Sequence, residues 1–188
     1  MSTRALSIQR VRVPLGFLVG GLYLWLAPRL GGMTPTTLAI GATLALVGVL
    51  VRGWAAGHIV KNDRLATTGP YAHTRNPLYF GSFLIAAGFA LAAHWILLVV
   101  VAVFFYLVYK PTIEREAAFI SNRYPEAYAV WARHVPAFLP RLTPWRDGNT
   151  GEATPFSLNL YLRHREWQAG LVYVLVVALF AVRLRLGV

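Results

Sequence analysis

Five apolar stretches separated by polar segments organise the chain. They run from about Val11 to Ala27, Thr36 to Val51, Pro77 to Leu91, Ile96 to Tyr109 and Trp167 to Val182. A helix needs roughly 20 apolar residues to cross a bilayer, with a range of about 17–25. The shorter stretches therefore require tilting or local thinning of the bilayer. The pattern predicts an all-α integral membrane protein with about five transmembrane helices.

A second apolar periodicity follows the fourth stretch. From Ile113 onward, apolar residues return every three or four positions, which is the spacing of one face of a helix. Pro125 interrupts this stripe and predicts the first turn of a second helix after a break near Tyr124. Prolines within 136–140 end the pattern. We expect two amphipathic helices at the membrane interface, followed by a mobile polar loop over about 143–155.

Composition agrees with a membrane protein. The chain has 188 residues, of which 57% are hydrophobic and 13% are charged, whereas soluble domains carry roughly a quarter charged residues. This length fits a single domain over residues 1–188. The sequence contains no cysteine, which excludes disulfides and thiolate metal sites. The five histidines show no ligand-like spacing with acidic residues, so we expect no metal site.

The formal net charge of +11 is read as an orientation signal. Cytoplasmic loops of membrane proteins collect Lys and Arg. With the N-terminus inside, all of the 18 Lys and Arg residues except Arg29, Arg183 and Arg185 fall on the cytoplasmic side. The sequence therefore predicts a cytoplasmic N-terminus, a cytoplasmic active site, membrane lipids as surroundings and no nucleic-acid partner.

The segment from Gly69 to Gly81 holds polar and turn-forming residues at the start of the third apolar stretch. Pro77 suits the first turn of a helix, so Arg75 precedes an N-terminus that carries unpaired N–H groups and a partial positive charge. Such an end binds carboxylates and phosphates. The same residues also fit a helix cap with Arg and Tyr anchors at the membrane interface. The segment alone leaves both interpretations open.

Glu116 borders the apolar stripe of the first amphipathic helix. It is one of only seven acidic residues in the chain. It fits either a solvated surface side chain or a carboxylate that faces a cavity and binds a hydroxyl or a cation.

The order of these motifs resembles the isoprenylcysteine carboxyl methyltransferase family, which is related to the phospholipid N-methyltransferases. The resemblance rests on Gly69-Pro70-Tyr71, Arg75-Asn76-Pro77-x-Tyr79-x-Gly81, Glu116, Tyr124-x-x-x-Tyr128, Val135-Pro136 and Pro140, and it covers about Arg64 to Leu142. It implies S-adenosylmethionine as the methyl donor. It implies Leu65, Ala66, Tyr71, Asn76, Pro77, Leu78, Tyr79 and Glu116 as cofactor contacts, and we assign catalytic roles to Arg75 and Glu116.

The chain departs from the family pattern at three positions. Asn76 stands where many members have His, Ala117 stands where a second Glu is common, and Thr112 takes the place of an Arg on the substrate side. The last two weaken prenylcysteine as the acceptor. An isoprenylcysteine-like carboxylate, a phospholipid amine, a small thiol and another lipophilic molecule stay open.

Two other function classes are weighed against the methyltransferase. Membrane sterol reductases that use NADPH carry a similar Asn-Tyr-x-Gly segment, but they place an acidic residue after the glycine, where this chain has Ser82. A non-enzymatic transporter or assembly factor would place polar residues at mid-span. The spans here are nearly free of polar residues, and the motif residues gather on one side.

Overall fold

The computed structural model describes residues 20, 21, 25, 29–59, 65–146 and 155–187, and this part of the chain contains helices and no strand. The helices are α1 (Pro35–Ala56), α2 (Pro77–Ala93), α3 (Ile96–Phe104), α4 (Lys110–Arg123), α5 (Pro125–His134), α6 (Leu158–Arg163) and α7 (Trp167–Leu186). A 3-10 turn at Gly69–Ala72 precedes α2, and a π-helical segment at Phe105–Tyr109 joins α3 to α4. The all-α class is confirmed.

Three of the described helices are long and apolar enough to cross a membrane. They are Pro35–Ala56, the continuous helix Ile96–Arg123 and Trp167–Leu186. A shorter apolar helix, Pro77–Ala93, has 17 residues. The architecture is that of an all-α integral membrane protein, as expected. The first expected span, from Val11 to Ala27, lies largely outside the described residues.

Prolines mark the helix boundaries that were predicted from the sequence. Pro77 and Pro125 are the first residues of α2 and α5. Between α4 and α5, Tyr124 has φ −134° and ψ 63°, so the helical path breaks there. Helix α5 ends at His134, before the two prolines within 136–140. Of the expected loop over 143–155, residues 147–154 lie outside the described part of the chain.

The fourth span does not end at Tyr109 but continues into the first amphipathic helix. The resulting helix, Ile96–Arg123, has 28 residues. Pro111 lies within it and has no N–H to donate to the carbonyl four residues back. The helix widens instead of breaking: the N–H of Lys110 donates to the carbonyl of Phe105, five residues back.

Close contact between antiparallel α1 and α2 forms the centre of the fold. A Cβ added to Gly48 would lie 2.6 Å from the carbonyl oxygen of Gly81, and one added to Gly88 would lie 2.5 Å from the nitrogen of Ala45. Small residues of this kind let membrane helices approach until their backbones touch. Helix α7 packs against the pair through Phe180, which is fully buried.

Helix α6 was not predicted from the sequence. The side chain of Ser157 accepts a hydrogen bond from the N–H of Leu160 and so caps its start. The turn between α6 and α7 contains Arg165, whose φ of 56° is rare for a residue with a side chain. This turn places Glu166 directly before α7, next to the end of α1.

Candidate functional site

The turn before α2 pairs with the segment that follows α5. Three backbone hydrogen bonds of 2.9–3.0 Å connect them, from Arg75 N to Pro136 O, from Arg141 N to His73 O and from Trp145 N to Ala72 O. Residue numbers rise on one side as they fall on the other, so the two segments run antiparallel. The first and last parts of the motif region, which are some 60 residues apart in sequence, therefore lie side by side.

Side chains reinforce this pairing. The hydroxyl of Thr74 donates to the carbonyl of Phe138 at 2.9 Å, and the amide of Asn76 donates to the carbonyl of Ala137 at 2.8 Å. Asn76, an expected cofactor contact, thus holds the loop after α5 in this structure. The Nδ1 atom of His73 lies 2.8 Å from the carbonyl oxygen of Arg141.

An apolar cluster brings four of the expected cofactor contacts together. Its buried members are Ala55, Tyr71, Trp131 and Val135, and its partly buried members include Leu65, Ala66 and Leu78. The indole of Trp131, which is 2% exposed, donates from Nε1 to the carbonyl of Tyr71 at 3.0 Å. Leu65, Ala66, Tyr71 and Leu78 therefore share one side of the site. Pro77 is fully buried at the start of α2.

Tyr79 and Glu116 meet across the gap between α2 and α4. The Tyr79 hydroxyl donates to Oε1 of Glu116 at 2.6 Å, a length typical of a hydrogen bond to a charged oxygen. Both side chains are partly buried. Glu116 is therefore partly buried and hydrogen-bonded to α2, which favours the second of the two interpretations that the sequence left open.

The phenol of Tyr71 is buried near the carboxylates of Glu116 and Glu166. Its hydroxyl has no hydrogen-bond partner among the described residues. Burial raises the pKa of Tyr71, and the carboxylates of Glu166 and Glu116 raise it further, while Arg52 opposes them. The phenol therefore stays protonated and neutral, with an O–H donor available to a bound ligand.

Arg75, which we expect to have a catalytic role, extends toward α5. Its Nη1 donates to the hydroxyl of Tyr128 at 2.7 Å, and its guanidinium lies 5.6 Å from the centre of that ring. Its Nε is buried and finds no partner in the part of the chain that the structure describes. A buried N–H donor without a partner costs free energy, so a bound carboxylate or phosphate would complete this environment.

A second cluster of polar side chains, which was not predicted from the sequence, lies on the α7 side of α2. Arg52 donates from Nε and Nη2 to the two carboxylate oxygens of Glu166 at 3.0 and 2.7 Å. Its Nη1 donates to the carbonyl of Leu78 at 3.3 Å and to the hydroxyl of Ser82. A signal was present, since Arg52 and Glu166 both flank apolar spans, but their contact depends on how three helices pack.

An apolar cavity of about 410 Å³ opens beside the Tyr79–Glu116 pair. Its lining includes Phe83 of α2, Phe138 of the loop after α5, and Phe105, Tyr106 and Tyr109 of the π-helical segment. The ring of Tyr79 packs edge-on against that of Tyr109, with 5.4 Å between centres. Tyr109 therefore lines the apolar cavity and also contacts the polar site through Tyr79.

Metal ligands do not gather anywhere in the described ranges. No three His, Asp or Glu side chains there lie close enough to hold an ion. The Nδ1 atom of buried His58 lies 2.9 Å from the carbonyl oxygen of Trp54. Gly69 adopts a positive φ of 58° and leaves space for the His58 ring, which a Cβ would approach to 2.5 Å.

Comparison with known proteins identifies the family. Residues 33–127, half of the chain, match the phospholipid methyltransferase family. The chain is 35% identical to the cobalt-zinc-cadmium resistance protein CzcN of Cupriavidus metallidurans over 153 residues, which cover 80% of this chain and 67% of that protein. It is 33% identical to the nickel-cobalt-cadmium resistance protein NccN of Alcaligenes xylosoxydans xylosoxydans over 167 residues, 87% of this chain and 76% of that protein. No solved structure matches significantly.

The family match overlaps the motif region from about Arg64 to Leu142 and includes α1, α2 and the long helix. It confirms the resemblance inferred from the motifs. The chain belongs to the phospholipid methyltransferase family, which is the family of the membrane methyltransferases that resemble isoprenylcysteine carboxyl methyltransferase.

Proposed function

We propose that this protein transfers a methyl group from S-adenosylmethionine to a lipophilic or membrane-embedded acceptor. The observation that carries the proposal is the Tyr79–Glu116 hydrogen bond of 2.6 Å beside an apolar cavity of about 410 Å³. A polar site for a charged cofactor and an apolar site for a lipophilic acceptor thus lie next to each other, as a transferase acting on lipids requires.

The residues present fit S-adenosylmethionine. The cofactor carries a carboxylate, an ammonium group, ribose hydroxyls and an adenine ring. The Tyr71 hydroxyl and the Nε of Arg75, which have no partner among the described residues, are buried donors that suit the carboxylate. Glu116 suits the ribose hydroxyls or the ammonium group. Leu65, Ala66 and Leu78, which pack around Tyr71, would form an apolar wall for adenine.

The cofactor, when bound, supplies a methyl group already activated by a sulfonium. The chain's own residues then have to position the acceptor and exclude water. The buried cluster around Trp131 closes one side of the site against solvent. Arg75 would orient the cofactor carboxylate or the acceptor. A carboxylate or thiolate acceptor needs no base, whereas an amine or neutral thiol must first lose a proton.

The cavity beside Tyr109 would hold the apolar part of the acceptor. Its lining is aromatic and aliphatic apart from Lys110 and Glu114, which are exposed, and Tyr106 is 63% exposed. An acceptor dissolved in the bilayer could therefore enter between α2 and the π-helical segment. An isoprenylcysteine-like carboxylate, a phospholipid amine and a small thiol all satisfy this description.

We place the site on the cytoplasmic side of a multi-pass membrane protein. Arg52 lies near the end of α1, Leu78 at the start of α2 and Glu166 just before α7. All three mark the same end of the helix bundle. The excess of Lys and Arg expected on that side supports its cytoplasmic orientation.

Calorimetric titration of the detergent-purified protein with S-adenosylhomocysteine tests the proposal. We expect micromolar binding, weakened at least tenfold (about 1.4 kcal/mol) by Glu116→Gln. Glu126→Gln, an equal charge change at an exposed position of α5, should bind as the wild type does. Binding of NADPH without binding of S-adenosylhomocysteine would replace the methyltransferase with a reductase. Binding of neither would favour a non-enzymatic membrane protein.

The names of two relatives favour a second, physiological proposal, a role in resistance to cobalt, zinc, cadmium or nickel. The test is growth of a metal-sensitive host that produces either the wild type or Glu116→Gln. Protection by the wild type alone would connect the carboxylate site to resistance. Equal protection by both would assign resistance to a property of the protein other than methyl transfer, and no protection by either would reject this role.

A further inference from the structure

Arg52 joins three helices through one side chain. From the last turns of α1 it forms a bidentate ion pair with Glu166, at 2.7 and 3.0 Å. Through Nη1 it also reaches α2, where the carbonyl of Leu78 and the hydroxyl of Ser82 accept hydrogen bonds. Ser82 in turn donates to the same Leu78 carbonyl at 2.9 Å. The side chains of Arg52 and Glu166 are only 24% and 11% exposed.

The hydrogen bonds to α2 end at the backbone that carries the candidate cofactor site. The side chain of Leu78 packs in the cluster around Tyr71, and the next residue, Tyr79, donates to Glu116. A shift of the Leu78 carbonyl would therefore move two expected cofactor contacts together. Because geometry errors near 1 Å can cost a site much of its function, fixing this carbonyl has a direct consequence for binding.

Holding the helices together does not by itself require this ion pair. Helices α1 and α2 already touch through Gly48 and Gly81, and α7 packs on them through Phe180. Removing two charges from water costs free energy that their attraction often only offsets, so a buried ion pair contributes little net stability. The guanidinium also donates from Nη1 to α2. An ion pair that only connected α1 to α7 would not need these hydrogen bonds.

We propose that Arg52 and Glu166 are positioning residues of the cofactor site. Glu166 fixes the orientation of the guanidinium, and the guanidinium fixes the first turn of α2, so that Leu78 and Tyr79 stay in place for the cofactor. The inference rests on the proposed methyltransferase function.

A charge swap distinguishes two roles of the ion pair, which are positioning of the cofactor site and attachment of α7 to α1. Arg52→Gln and Glu166→Gln should each weaken binding of S-adenosylhomocysteine tenfold or more and also lower the thermal midpoint. The double variant Arg52→Glu with Glu166→Arg restores opposite charges between α1 and α7. A carboxylate at position 52 cannot donate to the Leu78 carbonyl, however. The swap should therefore regain thermal stability without regaining affinity.

Two variants on α5 serve as matched controls. Arg133→Gln and Glu126→Gln remove the same charges at exposed positions and should change neither affinity nor midpoint. Should the charge variants fail to fold, Ser82→Ala removes one acceptor without altering charge, and it should weaken binding severalfold.

Each outcome decides the inference. Wild-type affinity in folded Arg52→Gln, Glu166→Gln or, where these do not fold, Ser82→Ala would overturn it. A swap variant that regains both affinity and stability would show that the pair only attaches α7 to α1, and this result would also overturn the inference. Failure of the wild type itself to bind S-adenosylhomocysteine would overturn the proposed function, and this inference with it.

Discussion

Replacing Gly48 with Ala perturbs a close backbone contact between α1 and α2. The added Cβ would lie 2.6 Å from the carbonyl oxygen of Gly81 and 2.8 Å from the nitrogen of Ile85. Both are backbone atoms, so no side-chain rotation can relieve the contact. Ordinary separation of such atoms is roughly 3.5 Å, which requires the two helices to part by about 1 Å.

The expected magnitude follows from two opposing effects. Overpacking costs about 1–3 kcal/mol, while exchange of Gly for Ala inside a helix gains about 0.8–1.0 kcal/mol. Gly170→Ala in α7 provides the matched control, because its Cβ would come only within 4.0 Å of Val49. That variant keeps the gain without the clash. The difference between the two variants therefore isolates overpacking, and it should be about 1–3 kcal/mol.

Thermal unfolding of the detergent-purified variants measures this difference. For a chain of this size, 1 kcal/mol shifts the midpoint by about 2–4 °C, so Gly48→Ala should melt roughly 2–12 °C below Gly170→Ala. Gly48 lies one turn before Arg52, whose bond to the Leu78 carbonyl is already 3.3 Å. Gly48→Ala should therefore also weaken binding of S-adenosylhomocysteine. Equal midpoints for the two variants would refute the described helix contact.

Three further variants test the framework of the site. Trp131→Phe removes the buried bond to the Tyr71 carbonyl and should cost about 1–3 kcal/mol in thermal or denaturant unfolding; an unchanged midpoint would contradict the contact. Thr74→Val removes the 2.9 Å bond to the Phe138 carbonyl, and faster proteolysis of the loop after α5 is the expected result, with unchanged cleavage as the contrary one. Tyr71→Phe tests the raised pKa of that phenol. Above about pH 10 the unfolded phenol ionises while the folded phenol stays protonated. The unfolded chain then binds fewer protons, so wild-type stability falls as pH rises. Tyr71→Phe lacks this component, and its midpoint relative to the wild type should increase from about pH 8 to pH 11; a constant difference would exclude the effect.

Much of the fold was predictable because it depends on local patterns. The apolar stretches gave α1, α2 and α7 to within a few residues at most boundaries. Pro77 and Pro125 marked helix starts because a first helical turn tolerates a missing N–H. The end of the fourth span was not predicted correctly, because the helix continues past Tyr109 and Pro111 by widening instead of breaking.

The candidate site was predictable only in part. Tyr79 and Glu116 stood in the motif pattern, and the structure joins them by a hydrogen bond. The contact between Arg52 and Glu166 was not predicted, since neither residue belongs to a motif and 114 positions separate them. The pairing of the turn before α2 with the loop after α5 was equally invisible, because backbone hydrogen bonds between irregular segments leave little trace in side-chain pattern.

The sequence by itself thus determined the helical membrane class, most boundaries of α1, α2 and α7, and the family, because hydropathy, proline and motif order act over short stretches of chain. Only the tertiary structure decided which polar groups share an environment. It joined Glu116 to Tyr79, left the Tyr71 hydroxyl buried without a partner in the described residues, and placed an apolar cavity beside Tyr79. These properties arise where helices and loops that are distant in sequence meet, so a local sequence pattern does not determine them.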